Sequence, residues 1–394
     1  MSHYKPYPAY RDSGVEWIGQ VPEHWKKMPF KRVASICNGH DYKEVENADG
    51  AYPVIGSGGE FARASDFMFD GKSVLLGRKG TIDKPLYING PFWAVDTMFY
   101  TKIADNAFPK FVYYNALTIP FGLYSTNTAL PSMAGEDLSS HLIVAPDFEE
   151  QKAIATCVDR ETTRIDALIT KKTRFIELLK EKRQALITHA VTKGLDPNVA
   201  MKDSGVEWIG VVPAHWSVAI LKRFVVFQRG HDLPSDTRVE GTVPVVSSGG
   251  YSGTHNVAIA KAPGIVTGRY GSLGEFTFVE EDYWPLNTAL YSIELHNNDH
   301  RFVWYLLQNI SDLFLLYSAK AAVPGIDRND IHEIYVAAPQ HDEQRQIAKY
   351  LDEQCDRINA ITEKTQRSID LLKERRAAFI TAAVTGQIDL RESA

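Results

Sequence analysis

With 394 residues, of which 44% are hydrophobic, 23% charged and 11% aromatic, the chain is long enough for two ordinary domains, each with its own core. No apolar run approaches the roughly 20 residues a membrane-spanning helix needs, and the opening Met1-Ser-His-Tyr-Lys-Pro-Tyr-Pro8 offers no signal-like apolar stretch. A net charge of −6 argues against a protein that wraps DNA unaided, because phosphate neutralisation supplies much of that affinity; it permits a reader with a local basic surface, or one whose partners share the phosphate contacts.

Taken in chain order, the predicted elements occur twice. Asp12-Ser-Gly-Val-Glu-Trp-Ile-Gly19 recurs letter for letter as Asp203–Gly210, and Val21-Pro22, His24-Trp25 and Lys31-Arg32 recur as Val212-Pro213, His215-Trp216 and Lys222-Arg223. The offset is 191 and holds for Gly39-His-Asp41 with Gly230-His-Asp232, Ser57-Gly-Gly59 with Ser248-Gly-Gly250, and Gly77-Arg-Lys-Gly80 with Gly268-Arg-Tyr-Gly271. From Pro146 and Pro339 onward it is 193, so the second copy has gained two residues. A repeat this long is a duplicated domain, not a solenoid unit.

Each copy starts with a segment (residues 1–21, then 194–212 including a linker) and a module (22–146 and 213–339) rich in glycine, aromatics and short apolar runs. Val74-Leu-Leu76 and Gly264-Ile-Val-Thr267 read as strands entering tight turns. Lys110–Leu117 and Arg301–Gln308 read as matching amphipathic helices. The fold class expected is α/β (mixed α+β). A long helix follows each module, over 147–193 and 340–386, leaving a tail at 387–394. Asp147 with Glu150 forms a capping-box-like start and Gly194 a stop. A 4,3-spaced row runs through Ile154, Val158, Glu161, Ile165, Leu168, Lys172, Phe175, Leu179, Lys182 and Leu186. Its copy is Ile347, Leu351, Gln354, Ile358, Ile361, Thr365, Ser368, Leu372, Arg375 and Phe379. The apolar members are expected to pair the two helices as an antiparallel coiled coil. This makes the copies pseudo-twofold symmetric and brings the chain's ends together.

Cys37, Cys157 and Cys355 are odd in number, widely spaced and free of any Cys-x-x-Cys, so neither a disulfide framework nor a zinc site is expected; a reducing cytoplasm fits. There is no Gly-x-x-x-x-Gly-Lys-[Ser/Thr] loop, no Gly-x-Gly-x-x-Gly after a strand and no Asn/Asp-Pro-Pro-aromatic tetrapeptide. His40-Asp41 and His231-Asp232 invite a metal or general-base reading, but a Gly-flanked Gly-His-Asp turn is better explained structurally, with Asp bonding main-chain amides. No catalytic and no metal residue is assigned. Trp17, Trp25, Trp208 and Trp216 are expected to pack at the joint between module and helix.

The repeated Asp-Ser-Gly-Val-Glu-Trp-Ile-Gly…Val-Pro-x-His-Trp (12–25, 203–216) occurs with Ala145-Pro146…Glu150-Gln151 and Ala338-Pro339…Glu343-Gln344. It also occurs with Ile176-Glu-Leu-Leu-Lys-Glu-Lys-Arg183 and Ile369-Asp-Leu-Leu-Lys-Glu-Arg-Arg376. Together and in this order they resemble the specificity subunits of Type I restriction–modification systems over nearly the whole chain. The resemblance implies two target-recognition domains that each read half of a bipartite sequence in double-stranded DNA, and paired helices that set the spacing and dock two methyltransferase subunits. It further implies restriction subunits in the full complex, with S-adenosylmethionine, ATP and Mg²⁺ on the partners and no catalysis on this chain.

Base readout needs donors and acceptors at a groove edge. The Gly-Arg-Lys-Gly-Thr81 and Gly-Arg-Tyr-Gly-Ser272 turns nominate Arg78, Lys79, Thr81, Arg269, Tyr270 and Ser272. Lys43, Arg63, Lys72, Lys84 and Asn127 are weaker candidates in the first module, as are Arg229, His231, Arg238, His255 and Lys320 in the second. Basic residues of the first helix, Lys171, Lys172, Arg174, Lys180, Lys182 and Arg183, face DNA phosphates, partner acids or solvent. The competing reading is a two-headed protein adaptor without DNA sequence selection.

Overall fold

In the computed structural model, residues 4–126, 131–318 and 325–391 are described. Two long helices dominate, Phe148–Lys193 and His341–Val384. The Asp147 carboxylate accepts the Glu150 main-chain N–H at 3.0 Å, satisfying one of the donors a first helical turn leaves unpaired. Gly194 and Gly386 end the helices at φ +77° and +74°, a left-handed conformation that glycine adopts without steric cost. No helix among the described residues is long and apolar enough to cross a membrane.

The chain divides into two compact units, Met1–Thr173 with Arg367–Ala394, and Arg174–Gln366. Each holds one module and a stretch of each long helix. In the first, Lys26–Pro29 pairs with Leu142–Ala145 at the base of the module. A six-stranded sheet follows, ordered Ala34–Asn38, Met98–Ile103, Phe69–Gly77, Leu86–Ala94, Tyr52–Gly56, Gly59–Ala64. Only the Tyr52–Gly56 pairing with Leu86–Ala94 is parallel among these neighbours. Phe30, Val74, Leu76, Phe99 and Val112 fill one core of the module, and Val54, Leu75, Phe92 and Met98 fill another.

The second unit repeats this with Ser217–Ile220 on Tyr335–Ala338. Its strands form a four-stranded and a three-stranded sheet. Where the first module runs Leu86–Ala94 as one strand, the second has Phe276–Val279 and Trp284–Pro285. The intervening Glu280-Glu281-Asp282 suits a strand poorly, and Asp282 is instead bound by Lys261 Nζ at 2.6 Å and Ala262 N–H at 3.0 Å.

The Val-Pro-x-His-Trp and Glu-Gln motifs meet at the joint of module and helix. In the first unit, the Glu150 carboxylate accepts from Tyr7 O–H at 2.8 Å and Trp25 Nε1–H at 3.1 Å, and lies 2.8 Å from His24 Nε2. In the second, Glu343 lies 2.7 Å from His215 Nε2 and accepts from Trp216 Nε1–H at 3.1 Å. Gln151 and Gln344 each accept a main-chain N–H, of Phe108 and Asp299, and donate to Pro146 and Pro339 carbonyls. Lys110 and Tyr114 bind Asp159; Arg301 and Tyr305 bind Asp352. Trp25 and Trp216 are buried as expected, whereas Trp17 and Trp208 are 50% and 43% exposed. Trp17 lies stacked on His141 and lines a pocket at the joint with Val144, Thr381 and Val384, without being buried there.

In the first unit, Ile154 and Val158 share a core with Phe379, Ile380 and Ala383, and Arg376 Nε binds Asp166 at 2.9 Å. In the second, Ile187, Ala190 and Val191 share one with Ile347, Leu351 and Cys355. Each time an early stretch of one helix meets a late stretch of the other, so the helices run antiparallel. Ile154, Val158, Ile165, Leu179, Ile347, Leu351, Ile358 and Phe379 are buried, and Leu186 and Leu372 are half-buried.

Leu168, Phe175 and Ile361, expected in the seam, are 41%, 45% and 44% exposed. The covered row runs instead through Val158, Thr162, Ile165, Ile169, Lys172, Ile176, Leu179, Arg183, Leu186 and Ala190. On the other helix it runs through Leu351, Cys355, Ile358, Thr362, Thr365, Ile369, Leu372, Arg376, Phe379 and Ala383. Expected and observed rows share every seventh residue, and the residue between differs by one position, about 100° of helix rotation. Neighbouring apolar pairs such as Leu168-Ile169 and Phe175-Ile176 fit either row, and packing selects the isoleucines.

The first unit also brings residues near both ends of the chain together: Asp389 N–H donates to the Lys5 carbonyl at 2.8 Å and Gln387 Nε2 to the Gln20 carbonyl at 2.6 Å.

Candidate nucleic-acid interface

Sheet register brings two turns to one edge of the first module. Asn38 pairs with Phe99 and Gly77 with Met98, so Gly39-His-Asp41 and Gly77–Thr81 both leave the sheet beside the start of Met98–Ile103. Both need glycine for close approach: a Cβ on Gly39 would lie 2.0 Å from the Val95 carbonyl oxygen, and one on Gly77 2.3 Å from that of Thr81. A third segment closes on them, with Met133 N–H donating to the Arg78 carbonyl and Gly80 N–H to that of Pro131, both at 3.0 Å.

The second module builds the same edge. Arg229 and Thr267 both pair with Leu290, and Gly268 with Ala289. A Cβ on Gly230 would lie 2.2 Å from the Leu286 carbonyl oxygen, and one on Gly268 2.3 Å from that of Ser272. Ile326 N–H donates to the Arg269 carbonyl at 3.0 Å. Here the edge opens into a cleft of about 530 Å³, lined among others by Arg229, His231, Asp232, Arg269, Asp327 and Arg328.

The Gly-His-Asp carboxylates serve the turn. Asp41 accepts the Lys43 N–H at 3.1 Å and Asp232 accepts from Asn287 Nδ2. His231 Nε2 lies 3.3 Å from the Tyr291 hydroxyl. Among the described residues no group of three or more His, Cys, Asp or Glu is placed to hold a metal.

Lys79, Thr81 and Tyr270 are exposed at the turn tips, and Arg78, Arg269 and Ser272 are half-buried. Arg78 Nη1 donates to the Asp96 carbonyl at 3.3 Å, while the Arg269 guanidinium lies 4.8 Å from the Tyr270 ring centre. Lys43, Lys72 and Lys84 are exposed, Lys43 directly after the Gly39-His-Asp41 turn and Lys72 within the strand Phe69–Gly77. Three other candidates are occupied within their modules. Arg63 binds Glu60 at 3.0 Å and the Ala51 carbonyl at 3.1 Å. Arg238 is half-buried and donates to the Ser252 carbonyl at 2.6 Å. His255 is buried and accepts the Val239 N–H. Asn127 and Lys320 lie outside the described residues. On the long helices, Lys172 and Arg183 are half-buried in the seam, and Arg174 is paired with Glu177 and Glu181.

Asn38 and Arg328 were not nominated by sequence. Asn38 is the last strand residue before the Gly39-His-Asp41 turn, where the His-Asp pair is the more conspicuous local pattern. Arg328 joins the cleft through the Ile326–Arg269 main-chain contact, which no local pattern announces.

A family model described as the Type I restriction modification DNA specificity domain matches twice, over residues 22–178 and 214–371. The chain belongs to the Type I restriction–modification specificity family. Within that family it is 20% identical to the Type I restriction enzyme EcoBI specificity subunit of Escherichia coli, over 96% of this chain and 89% of that one. A solved chain from work on complex assembly and conformational transition of the Type I R-M system covers 93% of this chain and 99% of its own length at 13% identity, TM-score 0.72. The HsdS subunit from Thermoanaerobacter tengcongensis covers 96% and 100% at 15% identity, TM-score 0.52. Both share the fold. Family membership makes DNA target recognition the function of the repeated modules, and the matched segments take in both turn clusters and most of both long helices.

Proposed function

We propose that this chain reads a two-part sequence in double-stranded DNA, one part with each unit's turn cluster, and directs methyltransferase and restriction subunits to it without catalysing a reaction itself. The observation that carries this is the duplicated edge. Glycines hold the same two turns against the same strand in both modules, while the side chains on those turns differ: Lys79 against Tyr270, Asn38 against Arg229. An invariant frame with variable donors and acceptors suits two readers of unlike half-sites.

Docking of two copies of one partner is supported by the long helices. Leu168 and Leu371 of the first unit correspond, at the offset of 193, to Ile361 and Leu178 of the second, and all four are exposed. Apolar side chains left uncovered in both copies suit a protein partner that binds twice. In this reading S-adenosylmethionine, ATP and Mg²⁺ belong to the partners. The test is methylation by the complex of this chain with its methyltransferase subunits, mapped by sequencing modified adenines. A split, non-palindromic target that changes in one half when residues 22–146 are exchanged is expected. A complex that modifies or binds DNA without sequence selection points to the adaptor reading.

A further inference from the structure

We infer that Arg229 and Arg328, with Arg269, read guanine in the half-site taken by the second unit. This rests on the proposed DNA-reading role of the turn clusters and goes further by naming the base and the residues. Three guanidinium groups line one open cleft with two carboxylates, Asp232 and Asp327. Both carboxylates already accept a local hydrogen bond, from Asn287 Nδ2 and from Asn329 N–H at 2.7 Å. Among the described residues none of the three guanidinium groups donates to a protein acceptor or forms an ion pair. Arg229 and Arg328 are exposed. With Arg269 stacked on Tyr270, Arg229 and Arg328 are the exposed forked donors, and such donors select a ligand with paired acceptors; in duplex DNA that is the O6/N7 edge of guanine or the phosphate backbone.

Comparison with the first unit favours the base. The residues corresponding to Arg229, Arg269 and Arg328 are Asn38, Arg78 and Gly135. Only one is basic, and its Nη1 donates to the Asp96 carbonyl. A phosphate contact that merely positions DNA should be present in both readers, since both face the same backbone. An arginine cluster in one reader, with asparagine at one of its positions in the other, fits guanine against adenine.

The experiment uses the full chain with its methyltransferase subunits, selecting from a randomised duplex library at several salt concentrations, with wild type, Arg229→Asn, Arg328→Gly and Asn38→Arg. The first two substitutions install the residue of the first unit at exposed positions. The expected result is guanine at a fixed place in the wild type's second half-site. Its preference should fall on the order of 10-fold or more in Arg229→Asn and Arg328→Gly, with the first half-site unchanged as an internal control of folding. Asn38→Arg should shift a position of the first half-site toward guanine. A uniform loss across all sequences with a shallower salt dependence would mean phosphate contact and overturns the inference, as do unchanged preferences in both arginine variants. Wild-type selection of a split target without guanine in the second half overturns the inference alone. A wild-type complex with no sequence selection overturns the DNA-reading role beneath it.

Discussion

Trp25 donates its indole N–H to Glu150 at 3.1 Å across 125 residues of sequence, and Trp216 donates to Glu343 at the same distance. The two joints differ in depth. The Glu150 side chain is 7% exposed and that of Glu343 33%, because Tyr7 covers only the first and donates a further hydrogen bond to it.

Glu150→Ala strands the Trp25 N–H and Tyr7 O–H in a buried joint and is expected to cost about 3 kcal/mol, with Glu343→Ala costing clearly less. Global unfolding of a chain with two units is not a two-state event, so the check is amide hydrogen exchange resolved to each module's base. Equal loosening at Lys26–Pro29 in one variant and Ser217–Ile220 in the other would contradict the ranking.

A pH response is expected at the base of the first module, where His141 is buried. Burial holds the His141 imidazole neutral, its pKa pushed down from 6.5 to about 4, and its Nδ1 accepts the Tyr124 O–H at 2.8 Å. The unfolded chain takes up this proton before the folded one does. The stability His141 confers is therefore fully present above pH 6.5 and is lost as pH falls toward 4, by about 2–3 kcal/mol. The second unit has Ile334 at the corresponding position. Exchange protection of Leu142–Ala145, followed from pH 7 to 4 in wild type and His141→Leu, should show a weaker decline in the variant; parallel declines rule this role out.

The observed helix row separates two kinds of apolar residue. Ile176→Asp puts a charge into the seam and is expected to loosen the helix pair by several kcal/mol. Leu178→Asp and Leu371→Asp, at exposed positions, should leave helicity and melting of the isolated chain within about 0.5 kcal/mol of wild type while weakening methyltransferase association. Circular dichroism and titration calorimetry read the two effects. Full partner affinity in the double variant would remove the helices' exposed side chains from the docking surface.

Gly268→Ala places a methyl group 2.3 Å from the Ser272 carbonyl oxygen, so the Gly268–Ser272 turn must move. The expected outcome is loss of selectivity for the second half-site with the first retained, and Gly77→Ala should do the reverse. Library selection with the assembled complex reads both, and retention of both halves by both variants would detach the turns from readout.

Sequence made visible whatever local chemistry or self-similarity encodes. The duplication, the Asp147 cap, the Gly194 stop and the two glycine turns belong to this class, since each depends on residues close together or on one copy matched to another. The phase of the helix seam was not legible, because Leu168-Ile169 and Phe175-Ile176 offer apolar residues to both rows and only the facing helix decides. Trp17 and Trp25 belong to one motif, yet one is exposed and the other buried, since burial depends on the module base folding over Trp25. Arg328 entered the site through pairing with a turn far away in sequence, and Arg238 left it by turning onto Ser252. Long-range contacts of that kind leave no periodic trace.

The Lys5–Asp389 hydrogen bond has a counterpart in continuous chain. In the second unit, residues 195–200 lead directly from the end of the first long helix at Gly194 into the strand pair Met201–Asp203 with Val211–Pro213. In the first unit the corresponding strand pair, Tyr10–Asp12 with Gln20–Pro22, is tied to the segment after the second long helix by the Lys5–Asp389 and Gln20–Gln387 hydrogen bonds. The same strand pair is thus held near the end of a long helix by chain continuity in one unit and by hydrogen bonds in the other. Joining the ends with a short peptide and cutting between 195 and 200 should yield the same fold with its modules in exchanged order, each module keeping its own selectivity.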